Sequence, residues 1–277
     1  YSGGTYNYTF YNNGVSVYKG TGAKNYGTNV IANKAIISLK DAPANKPIFG
    51  LITPWAVHSE VYSKPFPVPE EKYKGYGPCQ NIPKWKPANF NEADVSDKSS
   101  YIKKRKIEFP NSGWNLVTYC ETLISVDNMV KRVKNELQNQ GRLNNTVFIL
   151  TADNGMQFGA HRLGDKKWPY ATKLPLYVYW PDGLGTTPRT LNQHISNIDM
   201  APTICALGGC KMGPYSNGQV TPDGINFLPI LLGQSNDTGR DAILESAPKP
   251  ITYVPSWFAV RTTENHPDGF WHLIQYQ

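Results

Sequence analysis

A helix, a stop and an apolar strand between residues 116 and 151 constrain this chain more than any other feature. From Leu116 to Gln140, Tyr119, Leu123, Val126, Val130, Val133 and Leu137 recur at spacings of four and three, which predicts a helix with one apolar face. Gly141 stops it. Thr146-Val-Phe-Ile-Leu-Thr151 then forms a continuous apolar run, the pattern of a strand buried on both faces. The pattern extends on either side. Val30, Ile31, Ala35, Ile36 and Leu39 predict a helix, and Ile48–Thr53 predicts a short strand ended by Pro54. Pro175–Trp180 predicts another strand, and Asp199–Leu207 a short helix capped by Ser196 or Asn197. This alternation through residues 28–210 argues an α/β fold with a mixed, largely parallel sheet flanked by helices. Trp257–Arg261 and Phe270–Tyr276 add a small antiparallel piece at the C-terminal end. Residues 1–28, rich in Tyr, Gly and Asn, read as short strands with turns. Residues 55–112 show no clear period, and a connection of that length is expected to be functional or to wrap the surface.

Composition narrows the function classes. Of 277 residues, 40% are hydrophobic and 12% aromatic, enough for a sizeable core. No apolar run approaches the ~20 residues a membrane-spanning helix needs. The 28 Lys and Arg against 21 Asp and Glu favour an anionic partner. The densest basic cluster, Lys103-Lys104-Arg105-Lys106, is followed by no nucleic-acid recognition motif and reads as a solvated face, so no nucleic-acid partner is expected. Cys79, Cys120, Cys205 and Cys210 show no Cys-x-x-Cys spacing. A local disulfide between Cys205 and Cys210 fits the tight Ala-Leu-Gly-Gly turn between them, and pairing 79–120 beside it is one of three connectivities. Three sequons, at Asn7, Asn144 and Asn236, are candidate glycosylation sites. Together with the even cysteine count they point to a secreted, extracellular or lumenal protein.

Ligands of open α/β sheets gather at the carboxyl ends of strands. After Thr146–Thr151 come Asp153, Asn154 and Gly155, and later Lys166. After Ile48–Thr53 comes His58. Asp153 and Asn154 are adjacent oxygen donors for a hard cation, Ca²⁺ or Mg²⁺. Lys166 supplies a point charge for an anion, and His58 a hydrogen bond or proton. Together these groups suit hydrolysis of a sulfate or phosphate ester, where negative charge builds on the leaving oxygen. Each also has an ordinary reading. Asn154-Gly155 is a common turn dipeptide, a lone His58 reads as a hydrogen-bonded structural histidine, and a lone Lys166 as solvated.

Thr151-Ala-Asp-Asn-Gly-Met-Gln-Phe-Gly-Ala-His161, Asp165-Lys166, Lys173-Leu-Pro-Leu-Tyr-Val-Tyr-Trp-Pro181 and Ser196-Asn-Ile-Asp-Met-Ala-Pro-Thr203 resemble, in order and spacing, the blocks of the sulfatase family. Tyr6–Thr9 with Asn13-Gly14, Ser125-Val-Asp127 and Leu143–Thr146 resemble in particular its N-acetylglucosamine-6-sulfatase and algal or plant arylsulfatase branch. The resemblance covers about residues 6–210. It implies the alkaline-phosphatase-like fold and hydrolysis of the sulfate ester of a sugar or aryl alcohol. Asp153 and Asn154 match ligands of the family's Ca²⁺, and Lys166, or its neighbour Lys167, matches the lysine on the sulfate. His58 matches a sulfate-touching histidine, although Trp55-Ala-Val-His58 lacks the Pro directly before it. His161 stays outside the catalytic set.

The family's nucleophile is a formylglycine made from a (Cys/Ser)-x-Pro-x-Arg motif, and these 277 residues contain none. Ser63-Lys-Pro-Phe-Pro and Ser246-Ala-Pro-Lys-Pro lack the Arg. The family's two upstream metal-binding Asp residues have no match either. The resemblance places these elements N-terminal to Tyr1. Residues 1–235 are therefore expected to be the later part of a catalytic domain, inactive alone and associating with its missing N-terminal part, with 236–277 starting a C-terminal antiparallel subdomain. The competing reading is a non-catalytic, sulfatase-derived structural or glycan-binding protein in an extracellular assembly.

Overall fold

The computed structural model describes residues 4–60, 66–107, 109–166, 168–210, 212–214, 223–250 and 254–277. In chain order the elements are β1 (Tyr8–Asn12), β2 (Val15–Lys19), α1 (Gly27–Asp41), α2 (Gly77–Gln80), α3 (Ser100–Lys103), α4 (Val117–Asn139), β3 (Phe148–Thr151), β4 (Gln157–Phe158), β5 (Gly164–Asp165), β6 (Leu176–Tyr179), α5 (Pro181–Leu184), α6 (Met200–Leu207), α7 (Leu228–Leu231), β7 (Ala242–Ala247), β8 (Trp257–Thr262) and β9 (His272–Tyr276). They divide between two compact units. The first comprises residues 1–93, 107–144 and 158–162, and the second 94–106, 145–157 and 163–277. Residues 236–277 thus share a unit with 163–235.

In the first unit, β1 and β2 pair antiparallel around Asn13-Gly14, whose positive φ angles suit a tight hairpin turn. Helices α1 and α4 pack through Ala32, Val126 and Met129, with Ile31 and Ile52 against them. The α4 boundaries match the periodicity, and Val126, Val133 and Leu137 of its expected apolar face are buried, but the face departs from the pattern near its start. Leu123 is 54% exposed, while Glu121, Thr122 and Ser125 are buried. Their partners explain this. Glu121 accepts hydrogen bonds from Gly75 N and Gln80 Nε2, at 2.7 and 2.6 Å, and Ser125 donates to Glu70. The helix therefore turns a polar stripe toward the 70–80 segment. At its end Gly141 adopts φ +69°, and Arg142 N bonds Leu137 O, a left-handed cap of the kind glycine supplies. Cys79 and Cys120 form a disulfide that joins α2 to α4. The expected strand Ile48–Thr53 is not formed: these residues have no ladder among the described residues, and Phe49 and Leu51 stay exposed. Without a partner strand an apolar run has no means of satisfying a ladder's backbone groups.

In the second unit, β3 pairs with β6 and β7–β8–β9 form a three-stranded sheet, all antiparallel. The helix–strand alternation predicted parallel neighbours, so this ladder departs from that expectation. It also corrects the double-sided burial expected of residues 146–151, because Leu150 and Thr151 are exposed. On β6, Leu176 and Val178 pack toward Phe227, Ile230 and Leu231, while Tyr177 and Tyr179 face outward. One covering layer accounts for the alternation. A second cluster holds Val95, Ile102, Leu163, Trp168, Val254, Trp257 and Ala259, with the Tyr101 ring stacked on Trp168 at 5.5 Å. Strand β7 carries no signal strong enough to have been read from the sequence. A Ser196–Asp199 capping box opens the helical run that becomes α6, where the sequence placed the cap. A disulfide joins Cys205, in the last turn of α6, to Cys210 just beyond its end.

Two stability outcomes follow from loop size and burial. The Cys79–Cys120 bridge closes a sequence separation of 41, and Cys205–Cys210 one of 5. Loop-closure entropy then gives about 4 kcal/mol for the first and about 2 kcal/mol for the second. Denaturant melts of the paired Cys→Ser variants should rank in that order. Asp199, fully buried and bonded by Arg240, should cost about 3–5 kcal/mol when replaced by Ala, because the guanidinium is left unpaired. An Asp199→Ala melt within 1 kcal/mol of the parent (a threshold set against that range) would contradict the assignment.

Candidate functional site

The turn after β3 carries Asp153 and Asn154 in the second unit. Asp153 is exposed and Asn154 half-buried. Asn154 Nδ2 donates to Gly155 O at 3.0 Å, which leaves the amide oxygen as its lone-pair atom for a cation. Gly155 is held tightly. Its N donates to Ala171 O at 3.0 Å, and a Cβ at this position would lie 2.5 Å from that oxygen and 3.0 Å from Lys173 O. Glycine is therefore required by the close approach of the 171–173 backbone. Lys166, just past β5, is exposed in the same unit. Lys167 lies outside the described residues.

His58 belongs to the first unit. Its ring lies 4.5 Å from Trp55, centroid to centroid, and its Nδ1 is 2.8 Å from Ser59 O. A carbonyl only accepts, so Nδ1 carries hydrogen and Nε2 is the atom available to take or give a proton. The structure thus brings Asp153 and Asn154 together on one turn, with Lys166 on a later loop of that unit, and holds His58 in the other. His161 is committed on both ring nitrogens, to Glu92 at 2.6 Å and Asn89 at 3.0 Å.

Oxygen donors from Asp153 and Asn154 suit Ca²⁺ or Mg²⁺, but two ligands fall short of the six to eight Ca²⁺ takes. Among the described residues no group of three or more His, Cys, Asp or Glu is placed to hold a metal ion. The donor set fits as part of a cation site. Asn7, Asn144 and Asn236 are all exposed, as attachment of a glycan requires. Among the described residues no helix is long and apolar enough to cross a membrane.

Sequence reasoning did not single out a cluster on the C-terminal sheet: Glu245, Arg261 and His272, with His194 and Glu264 nearby. Arg261 and His272 are cross-strand partners on β8 and β9. Neither stands in a motif, and only the register of the strands brings them together. Burial, and then the Arg261 charge, lower the His272 pKa, with Glu245 opposing.

A Gly155→Ala variant should force the 153–155 turn away from residues 171–173. By the usual cost of overpacking, stability should fall by about 1–3 kcal/mol. Thermal melts check this, and an unchanged melt would show the turn free to move.

The sulfatase family model matches residues 1–210. Bovine N-acetylglucosamine-6-sulfatase is 32% identical over 249 residues, which cover 86% of this chain and 41% of that protein. An arylsulfatase of Volvox carteri is 29% identical over 293 residues, covering 90% and 44%. A protein solved in complex with its substrate D-glucosamine-2-N,6-O-disulfate superimposes with a TM-score of 0.69 at 18% identity, covering 99% of this chain and 67% of that one. The chain spans about four-tenths of the length of these two sequence relatives. With most of its length matched by the family model and its α/β fold shared with solved relatives, the chain belongs to the sulfatase family, of alkaline-phosphatase-like fold.

Proposed function

We propose that the complete protein, of which these residues are a part, hydrolyses the sulfate ester of a sugar. The observation that carries this reading is the Asp153-Asn154-Gly155 turn at the carboxyl end of β3, with a lysine on a later loop of the same unit, in a chain of the sulfatase family. A sulfated glucosamine is the favoured substrate, given that the bovine relative is an N-acetylglucosamine-6-sulfatase. An aryl sulfate follows by the same argument from the Volvox relative.

In this reading Asp153 and the Asn154 amide oxygen would hold Ca²⁺, or Mg²⁺ by the same hard-oxygen chemistry, and the ion would supply positive charge at the sulfate. The Lys166 ammonium offsets negative charge as it gathers on the departing alkoxide oxygen. His58, with hydrogen fixed on Nδ1, uses Nε2 to donate when charged or to accept when neutral. The formylglycine nucleophile and the remaining cation ligands come from the part of the protein outside these residues, with which this chain associates. Two disulfides and three exposed sequons support a secreted or lumenal setting.

The test uses the complete protein and 4-nitrophenyl sulfate or 6-O-sulfated N-acetylglucosamine. Asp153→Ala should abolish turnover, and Lys166→Ala should lower kcat by about 10²–10³-fold. Full activity in Asp153→Ala would overturn the metal assignment. A parent protein that binds the sulfated sugar without hydrolysing it would replace the hydrolase with a non-catalytic glycan-binding reading.

A further inference from the structure

On the C-terminal sheet, a cleft of about 310 Å³ is lined by His194, Arg261, Thr262, Phe270, Trp271 and His272, all in the second unit. Its polar and apolar parts are separately fixed. Arg261 Nε donates to Glu245 Oε1 at 3.0 Å, and its Nη2 donates to Thr172 Oγ1 at 3.3 Å and lies 3.1 Å from His272 Nδ1. Glu245 Oε2 holds His272 Nε2 at 3.1 Å. The guanidinium is thus fixed in place, and its Nη1 makes no hydrogen bond among the described residues. His194, which also lines the cleft, is fixed through Nδ1 on Glu264 at 2.9 Å, and its backbone N bonds the same carboxylate oxygen at 3.0 Å. Its Nε2 makes no hydrogen bond among the described residues.

Beside these groups, Phe270 and Trp271 are 69% and 63% exposed. They are not loosely placed. Trp271 Nε1 donates to Asp268 O at 2.8 Å, Trp271 N donates to Thr262 Oγ1, and Phe270 lies 5.4 Å from the His194 ring. Two anchored, outward aromatic rings next to a fixed guanidinium make a surface with one apolar and one anion-seeking half.

We infer that this cleft binds an anionic saccharide unit. The pyranose lies against Phe270 and Trp271, and its sulfate or carboxylate is taken by Arg261 Nη1 and His194 Nε2. A planar fork with one face committed to Glu245 is suited to an oxyanion on the other. This inference rests on the sugar-sulfatase reading for its choice of a saccharide over other stacking anions such as a nucleotide. The same short turn connects the cleft to the candidate cation site. Thr172 Oγ1 accepts from Arg261, and the neighbouring Ala171 O accepts from Gly155 N behind Asp153 and Asn154. The cleft therefore names the C-terminal sheet as the element that selects the sugar.

Titrating the complete protein with a 6-O-sulfated N-acetylglucosamine, uncharged N-acetylglucosamine and adenosine monophosphate tests this. Calorimetry gives the affinities, and quenching of indole fluorescence reports on Trp271. The sulfated sugar should bind at least about 10-fold more tightly than the uncharged one, the scale of one charge-assisted contact. Trp271→Ala and Phe270→Ala, at exposed positions that leave the core intact, should each weaken the sulfated sugar about 10-fold, and Trp271→Phe should abolish the quench. Arg261→Lys, which keeps the charge but loses the fork, should weaken it similarly. Wild-type affinity in both aromatic variants, or equal or tighter binding of adenosine monophosphate, overturns the inference. Absence of hydrolysis together with Trp271-dependent sugar binding would remove the hydrolase reading and leave this one standing.

Discussion

Much of the second unit is organised around one buried carboxylate. Asp199 has no exposed surface, and its two oxygens accept four hydrogen bonds: from Ser196 N, from Ile225 N, and two from the Arg240 guanidinium at 2.8 Å each. A buried ion pair of this kind is weak evidence of net stability, since desolvation offsets most of the attraction. Its value here is positional. The first bond opens α6, the second draws the 224–227 segment against α6, and the pair with Arg240 sets the entry to β7. The approach is close enough that a Cβ on Gly224 would lie 2.0 Å from Ile198 O. Arg240 O in turn accepts from Thr263 Oγ1, and Asp241 O from Thr263 N, which fixes the residue just after β8. The hairpin bearing Arg261, Trp271 and His272 thus takes its position from a charge pair that touches none of them.

What was legible in the sequence follows from where the information lies. Helices α1 and α4 are encoded in local periodicity and a Gly141 stop, and both emerged within a few residues of their expected bounds. The capping box at Ser196 and Asp199 is equally local. Pairing is not local. The apolar content of 48–53 and of 146–151 says that each is compatible with a strand, but not whether a partner exists or in which direction it runs. One of these residues' two segments found an antiparallel neighbour in β6, and the other found no ladder among the described residues. Strand β7 shows the reverse failure. Ala242-Ile-Leu-Glu-Ser-Ala247 alternates poorly, and it becomes a strand because β8 offers it a register.

The same distinction governs the candidate site. Asp153, Asn154 and Gly155 are consecutive, so the sequence displays them as a group, and the steric demand on Gly155 by residues 171–173 supplies a physical reason for that dipeptide beyond an ordinary turn. Arg261, His272 and His194 carry no spacing signal. Arg261 and His272 meet because β8 and β9 pair in one register, and a slip of one residue would send them to opposite faces. His194 joins them from a loop.

These two groups also differ in what they need from the rest of the protein. Two oxygen ligands do not make a cation site, so a cation at the Asp153–Asn154 turn would need donors from elsewhere. The aromatic and guanidinium cleft is complete within one unit, because every residue that fixes Arg261 and His194 lies there: Glu245, Thr172, His272 and Glu264. On the proposed reading, recognition of a sugar would be built into this chain while turnover would be shared with residues outside it. A division of that kind predicts that binding and hydrolysis are separable by mutation, since the groups that would hold the ring and the groups that would stabilise the leaving oxygen are different side chains, linked through the backbone turn at 171–172.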